Sequence, residues 1–458
     1  MKNYNVVKKI GKGSFSNVYL CNNDIQNQSL LFFSGIYNEI NQEVENKSFI
    51  VKEINTNSLV RKYMVKSKST IHKYITHKKV SGSGSVCITP YSNNLKIALE
   101  KFESEEEYYY KKLKDLIQSE IEILKRLSHI NIIKYINSSV SNKIYCIEME
   151  YCQYGDLHTI LKDTKNINFK LRNLRGGFDD TFIRVYLQHT TDGLKYIHDL
   201  NIIHRDIKLQ NILVKKNDID NTSSFLFKIS DFGFSCFDKN LSESLLISDM
   251  DFSSSSLNNK YYKLCGTPYY MAPEIIINID KFEQQEIIQR EICYDKKVDM
   301  WSYGICLYEL IFNSLPFSQS CILQDIHDFK DFFLNESRQT LIYEIIDSKK
   351  IINQDLKNIL KRLLSINSLD RFSSTDLYDF LGILTHNDIL ITNESIMDTL
   401  INLQISEEPT EKTQIKVNMD SWVIDEKISS WDKINKASSM IMKVSVDNHF
   451  MKWLIKKD

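Results

Sequence analysis

Residues 204–211 read His204-Arg205-Asp206-Ile207-Lys208-Leu209-Gln210-Asn211, and twenty residues further on comes Asp231-Phe232-Gly233. Two aspartates, an asparagine and a lysine at this spacing make a small set of hard oxygen ligands with one cation beside them. Such a set can hold an oxygen nucleophile, a nucleotide and the nucleotide's metal ion in one site. Each tripeptide alone carries little information. Their order, and the segments on either side, carry far more.

Upstream, Val6 to Ile10 alternates and runs into Gly11-Lys12-Gly13-Ser14-Phe15-Ser16-Asn17-Val18, and Asn17 to Cys21 is a second short strand. A strand, glycine loop, strand hairpin can aim backbone N–H groups at phosphate oxygens, and small residues let the backbone come close. By itself this segment also reads as a plain hairpin turn. Phe49-Ile50-Val51-Lys52-Glu53-Ile54 reads as a buried strand carrying one lysine. A charge there needs an anionic partner, because burying it unpaired is costly; phosphates and a helix glutamate are the candidates. Leu113, Leu116, Ile117, Ile121 and Leu124 recur at helical spacing and predict a helix over 111–127. Glu120 falls beside that stripe, whereas Glu122 fits an exposed position.

Two insertions interrupt this half. Residues 22–47 are polar and without period. Residues 55–110 begin basic, pass through Ser81-Gly82-Ser83-Gly84-Ser85 and end acidic at Glu103, Glu105, Glu106 and Glu107. The expectation for both is a solvated loop.

Downstream, Ile144 to Glu150 is a strand leading into Tyr151-Cys152-Gln153-Tyr154-Gly155-Asp156-Leu157, and a helix is expected from Thr181 to Leu200. Residues 238–262 are serine-rich. They are followed by Leu264-Cys265-Gly266-Thr267-Pro268 and Met271-Ala272-Pro273-Glu274, then Asp299-Met300-Trp301-Ser302-Tyr303-Gly304 and Asp370-Arg371-Phe372.

Taken in order over about residues 4–382, these segments resemble the signatures of eukaryotic-type serine/threonine protein kinases. Gly13-Ser14-Phe15-Ser16, Met149-Glu150-Tyr151-Cys152 with Gly155-Asp156-Leu157, Asp231-Phe232-Gly233-Phe234 and Leu264-Cys265-Gly266 are similar to the autophagy-initiating subgroup. The resemblance implies an α+β, bilobal kinase fold. The small β-rich lobe would take about residues 1–150 with the two insertions, and the larger helical lobe about 151–382. Residues 383–458 would be a C-terminal extension.

The resemblance also implies transfer of the γ-phosphate of ATP to serine and threonine hydroxyls of protein substrates, with Mg2+ or Mn2+. ATP would be bound by Gly11, Lys12, Gly13, Ser14, Phe15, Ser16, Val18, Ile50 and Lys52, and by Met149, Glu150, Cys152, Asp156 and Leu213. Asp206 would orient the substrate hydroxyl, Lys208 neutralise the transferred group, and Glu120 hold Lys52. Asn211 and Asp231 would ligate metal, Thr267 would belong to the substrate loop, and Glu274 with Arg371 would form a structural pair. Two residues depart from the pattern: Ser16 stands in place of the third glycine, and Ile50 in place of a small residue above the purine. With the insertions, they motivate an alternative, a catalytically weak kinase-fold scaffold or binding module. The presence of Lys52, Asp206 and Asp231 speaks for an active enzyme.

Bulk properties add exclusions. The 58 basic and 59 acidic side chains nearly cancel, so nothing draws the chain to nucleic acid or to an anionic membrane. Nine cysteines without C-x-x-C pairs suit a reducing, cytoplasmic setting rather than a disulfide framework or zinc site. No signal stretch or transmembrane window is expected. A regulatory partner could use residues 55–110 or 383–458. Arg205 implies a phosphate on the activation segment. Lys263 stands where the subgroup carries its acceptor threonine, so the expectation is that the switch has moved to Ser253, Ser254, Ser255 or Ser256 or has been dispensed with.

Overall fold

The computed structural model describes residues 4–13, 16–23, 48–61, 91–163, 176–217, 225–238, 267–278, 294–316, 326–335, 340–349 and 353–385. Ser14, Phe15, most of both insertions, the serines at 253–256, Lys263 and nearly all of the extension from 383 lie outside them. The described residues fall into two compact units. Among the described residues, those from 4 to 127 and 134–151 belong to the first, and 128–133 and 152–385 to the second.

The first unit is built on an antiparallel sheet of β1 (Tyr4–Lys12), β2 (Asn17–Asn23), β3 (Phe49–Asn55), β4 (Tyr135–Ser141) and β5 (Ile144–Glu150), in the order β1-β2-β3-β5-β4. Its register sorts the side chains by face, because neighbours along a strand point opposite ways. Val18 pairs with Lys52, Leu20 with Ile50, Ile50 with Met149 and Lys52 with Ile147, so these residues share one face. The other face carries a small apolar cluster of Cys21, Phe49 and Val51, with Tyr4, Tyr19 and Cys146 against it. Burial pushes the Cys21 thiol up to about 12, with Cys146 and Glu148 adding to the effect, so it stays a thiol.

The helix α1 runs from Tyr91 to Arg126, twenty residues further upstream than the periodicity over 111–127 predicts. Residues 56–61 are helical as well. The expectation of a loop throughout 55–110 is therefore corrected. The acidic end of the insertion, Ala98-Leu99-Glu100-Lys101 to Glu107, is rich in strong helix formers. Charge density by itself does not separate a solvated helix from a solvated loop.

The second unit is mainly helical: α2 (Leu157–Lys162), α3 (Asp180–Asp199), α4 (Pro273–Ile277), α5 (Lys297–Phe312), α6 (Ile326–Leu334), α7 (Leu341–Ser348), α8 (Gln354–Leu363) and α9 (Ser374–Thr385). Two short hairpin-like pairs, β6 (Ile202–Ile203) with β9 (Cys236–Phe237) and β7 (Ile212–Lys216) with β8 (Phe225–Ile229), carry the loops of interest. α3 starts where Asp179 accepts the Phe182 N–H, a side-chain cap for an otherwise orphaned donor. α5 is buried from Val298 to Phe312, as expected of a helix that is apolar nearly all round.

Arg371 is fully buried. It donates to both Glu274 oxygens, at 2.8 and 3.0 Å, and to the carbonyls of Ser365 and Lys297. The bidentate geometry satisfies a charge that could not otherwise stay inside. The pairing expected for Glu274 and Arg371 is present.

The chain entering α3 runs hard against the end of α5: Phe178 N–H donates to Leu310 O at 2.8 Å, and a Cβ on Gly177 would sit 2.0 Å from Ile311 O. Backbone cannot be pushed aside as a flexible side chain can. Gly177→Ala is therefore expected to destabilise the chain by about 3 kcal/mol, the upper part of the range for overpacking. Chemical denaturation followed by circular dichroism measures it; an unchanged midpoint would contradict the close approach.

Candidate active site

In the first unit Lys52 Nζ lies 2.6 Å from Glu120 Oε1, with side-chain exposures of 13% and 5%. The strand lysine and the glutamate of α1 neutralise each other where neither is well hydrated. Glu122, one turn edge away, is exposed and pairs with Lys125 at 3.1 Å, as its position beside the apolar stripe predicts. The glycine hairpin exists: Gly11 pairs with Val18, Lys12 with Asn17, and Gly13 N–H donates to Ser16 O at 2.7 Å. Ile50 and Met149 are buried on the Lys52 face. Glu150 is also buried; its carboxylate accepts the Lys134 N–H at 2.8 Å, and its own N–H donates to Lys134 O. Its side chain is thus a structural brace for β5.

In the second unit the loop from His204 to Asn211 is held from below by Asp299. That aspartate is wholly buried. Its Oδ1 accepts the Arg205 N–H at 2.8 Å, and its Oδ2 accepts the His204 N–H at 2.8 Å with His198 Nε2 3.0 Å away. Burial alone would raise the Asp299 carboxyl. The hydrogen bond and charge of His198, with the backbone N–H of His204, outweigh that and hold it below the usual carboxylate range.

His204 then ties this loop to the next one. Its Nε2 lies 3.0 Å from Ser230 O, its Nδ1 receives the Asp206 N–H at 3.3 Å, and its ring meets Phe232 edge to face. Protonation on Nε2 alone satisfies both contacts, and burial favours the neutral ring by lowering its pKa. Arg205 Nε donates to Phe234 O at 2.6 Å and its guanidinium reaches Tyr294 Oη at 3.1 Å. Arg205 and Asp231 both adopt the left-handed backbone conformation, with φ of 67° and 62°. Each such residue costs roughly 1–2 kcal/mol without glycine, and the surrounding bonds offset it.

The reactive groups meet on this scaffold. Lys208 Nζ donates to Asp206 Oδ2 at 2.6 Å and to Thr267 Oγ1 at 3.1 Å, and Thr267 Oγ1 reaches Asp206 Oδ1 at 3.2 Å. Asn211 Nδ2 donates to the Asp206 carbonyl at 2.8 Å and to its carboxylate at 3.0 Å. The amide nitrogen is committed to Asp206, so the amide oxygen is the atom of that side chain able to ligate a metal. Asp231 lies exposed at the start of its loop. Leu213 bridges to Asp156, and Tyr154 N–H donates to Val214 O. Asp156 itself caps α2, with its two oxygens accepting from the Thr159 N–H and hydroxyl at 2.9 and 2.8 Å. A ribose contact would have to share that carboxylate. Cys152 is buried, and its carbonyl accepts the Gly155 N–H at 3.3 Å.

One amide oxygen and one carboxylate fit magnesium, which takes few protein ligands and completes its shell with water and phosphate oxygens. Among the described residues no cluster of three or more His, Cys, Asp or Glu could hold a metal by itself.

Sequence reasoning missed four supporting groups. Asp299 and His198 were visible only as a polar residue at the head of an apolar helix and a histidine within a helical stripe. Lys228 sits inside the fully buried β8 and donates to Ile130 O at 2.7 Å and Ile132 O at 3.3 Å, fixing residues 128–133. Glu309, buried in α5, accepts from Tyr270 Oη at 2.5 Å, three residues past Thr267. The common signal is a charged residue inside an apolar run.

The family model for the protein kinase domain matches residues 74–380, and the chain belongs to that family. The match begins downstream of Lys52 and the glycine hairpin. The chain is 32% identical over 285 residues to serine/threonine-protein kinase atg1 of Aspergillus oryzae, covering 59% of this chain and 28% of the relative. It is 31% identical over 270 residues to human serine/threonine-protein kinase ULK1, covering 58% and 21%. With probable serine/threonine-protein kinase fhkD of Dictyostelium discoideum it shares 28% over 271 residues, covering 59% and 30%. The chain thus spans less than a third of the length of these relatives, and its likeness to the autophagy-initiating subgroup is matched by the atg1 and ULK1 similarities.

Asp299→Asn should loosen the His204–Asn211 loop and lower the thermal midpoint at neutral pH by roughly 5–10 °C, the scale of opening a buried charged network. Because the folded carboxyl lies below its unfolded value, its contribution is complete above the ordinary carboxylate range near about pH 4. It is lost as pH falls through the lower folded value. Melting curves of the two proteins should therefore differ by a constant amount at neutral pH and converge in acid; a gap that persists in strong acid would contradict the ionised assignment.

Proposed function

We propose that this chain is an ATP-dependent protein serine/threonine kinase, with its two units as the small and large lobes of a kinase domain over about residues 1–382. The observation that carries this reading is the joined set of Asp206, Lys208, Thr267 and Asn211, with carboxylate, ammonium, hydroxyl and amide within hydrogen-bond reach of one another. Phosphoryl transfer asks a protein mainly for positioning and charge neutralisation. Asp206 accepts the hydrogen of the substrate hydroxyl and points its oxygen. Lys208, already against Asp206, neutralises charge on the transferred group. Thr267 sits where a serine or threonine hydroxyl would approach, which favours those acceptors. Lys52, aimed by Glu120, binds the α- and β-phosphates, and the hairpin from Gly11 to Val18 supplies N–H groups to the same phosphates. Ile50 and Met149 give the first unit a buried apolar face for the purine, with backbone groups near Glu150 as its hydrogen-bond partners. Bound magnesium, or manganese, neutralises the phosphate oxygens, and Asn211 and Asp231 are the ligands that hold it.

The substrates are proteins, and the setting that suits the free thiols is cytoplasmic. Among the described residues no helix is long and apolar enough to cross a membrane. A regulatory partner would engage residues 55–110 or 383–458.

Lys52→Met, Asp206→Asn and Asp231→Asn should each reduce γ-phosphate transfer by about two to three powers of ten while the protein stays folded. Incorporation of labelled phosphate into a generic protein substrate, with and without magnesium, measures this. A folded Asp206→Asn protein with full turnover would remove the catalytic assignment and favour the scaffold reading.

Ile50→Ala should change the affinity for bulky ATP-competitive inhibitors more than that for ATP, because it opens space on the purine-facing side of β3. Inhibition constants for a series of graded size provide the check; identical values in both proteins would place Ile50 away from the nucleotide.

A further inference from the structure

Within the second unit, α3, α8 and α9 enclose a cleft of about 250 Å³, and no residue of the proposed phosphotransfer site lines it. Its base is apolar: Leu187 of α3, with Leu356 and Ile359 of α8, is buried there. Tyr378 of α9 stands at the rim and is 46% exposed. The walls carry carboxylates. Asp180 and Asp192 both line the cleft from α3, twelve residues and therefore about 18 Å apart along the helix. Asp355, in the first turn of α8, lines it too, and Asn353 at the start of that helix donates to Asp180 Oδ2 at 3.3 Å. Asp180 and Asp355 thus belong to one end of the cleft and Asp192 to the other.

Two cations stand near these carboxylates. Arg184 lines the cleft between the two aspartates of α3. Lys195 is held by Asp199 at 2.6 Å, with its Nζ 5.7 Å from the centre of the Tyr378 ring. Burial raises the Asp192 carboxyl, and the charge of Lys195 offsets this only in part, so a further cation at that end is favoured. The cleft is therefore anionic at both ends, cationic near its middle and apolar at its base. Its volume lies below the range of roughly 300–1,000 Å³ typical of small-molecule sites, and suits one or two large side chains. The separation of its acidic ends matches about five residues of extended peptide at roughly 3.3 Å each. Alternate residues of such a peptide point the same way, so two apolar side chains can enter together while basic ends meet the carboxylates. Arg184 opposes a cation midway, and the three aspartates oppose any anionic partner.

We propose that the α3, α8, α9 cleft is a docking site for a linear segment of a partner protein, apolar in its middle and carrying a lysine or arginine at each end. Asp180 and Asp355 together receive one basic side chain, and Asp192 receives the other. The apolar side chains rest on Leu187, Leu356 and Ile359, with the Tyr378 ring beside them. Charge selects the partner and fixes its register, and the apolar contacts hold it. The inference does not rest on the kinase reading, and its test requires no nucleotide.

The test uses the full chain and the acetylated, amidated peptide Lys-Ala-Trp-Ala-Leu-Lys. Amide exchange followed against peptide concentration reads both where it binds and how tightly. The peptide should slow exchange at residues 180–192, 353–359 and 378–383. Two control peptides, Glu-Ala-Trp-Ala-Leu-Glu with the charges reversed and Lys-Ala-Asn-Ala-Asn-Lys without the apolar anchors, should each need about tenfold more for the same protection. Asp192→Asn with Asp355→Asn should weaken the lysine peptide by about as much. Asp192→Lys with Asp355→Lys should reverse the preference, so that the glutamate peptide protects at the lower concentration. If a variant's thermal midpoint falls, the ranking of the three peptides on the unaltered chain still decides. Equal half-saturation for all three overturns the proposal, as does protection confined to other residues or none at all. A concentration-dependent dimer that protects these same residues and that the lysine peptide dissociates assigns the cleft to a second copy and overturns it equally.

Discussion

Asp299 is the point on which the second unit's chemistry rests. A wholly buried carboxylate must collect donors, and it collects them from two segments about a hundred residues upstream: the His204 and Arg205 N–H groups and the His198 ring. Those bonds keep it ionised despite its burial. The payoff is geometric. With the backbone at 204 and 205 held, Arg205 can remain left-handed, Asp206 faces Lys208 and Asn211, and His204 is free to brace Ser230 and Phe232. A loop carrying an aspartate, a lysine and an asparagine so close together would otherwise rearrange among many near-equal pairings.

The first unit solves a related problem differently. Lys52 is carried by the middle strand of a sheet, so its direction is set by strand register rather than by a loop. The pairing of Val18, Ile147 and Lys52 across three strands puts the ammonium on the face where Glu120 meets it. The opposite face is occupied by Tyr4, Cys21, Phe49 and Cys146. A slip of one residue in β3 would send Lys52 into that apolar cluster and Val51 to the other side. The burial of both faces of β3 is therefore what makes the lysine's placement reliable.

The elements that could be read in advance share a local cause. The glycine hairpin, β3, the helix holding Glu120, α3 and the loops at 204–211 and 231–233 follow from alternation, helical period or short-range spacing. So does the recognition that Lys52 requires an anion and that Glu122 does not provide it. Where one local pattern suits two states, spacing does not choose between them. The stretch 91–110 is helical although its acidic sequence suited a solvated loop, because propensity and charge point the same way for both states until neighbouring turns are joined. The carboxylate of Asp156, the residue expected near the ribose, also caps α2 through Thr159, a use that any aspartate before a helix can adopt.

By itself the sequence determined the chemical inventory and its order: which side chains could accept a proton, neutralise phosphate or ligate a metal, and which strands and helices would carry them. Those properties depend on residue type and spacing along a few turns of chain. Only the tertiary structure decided which buried charge answers which. Glu274 meets Arg371 across 97 residues, Lys52 meets Glu120 across 68, and Lys228 reaches back 98 residues to Ile130. An ion in an apolar interior must be paired, so the sequence announces that a partner exists. Its identity depends on the three-dimensional path that brings distant segments together, and no local pattern encodes that path.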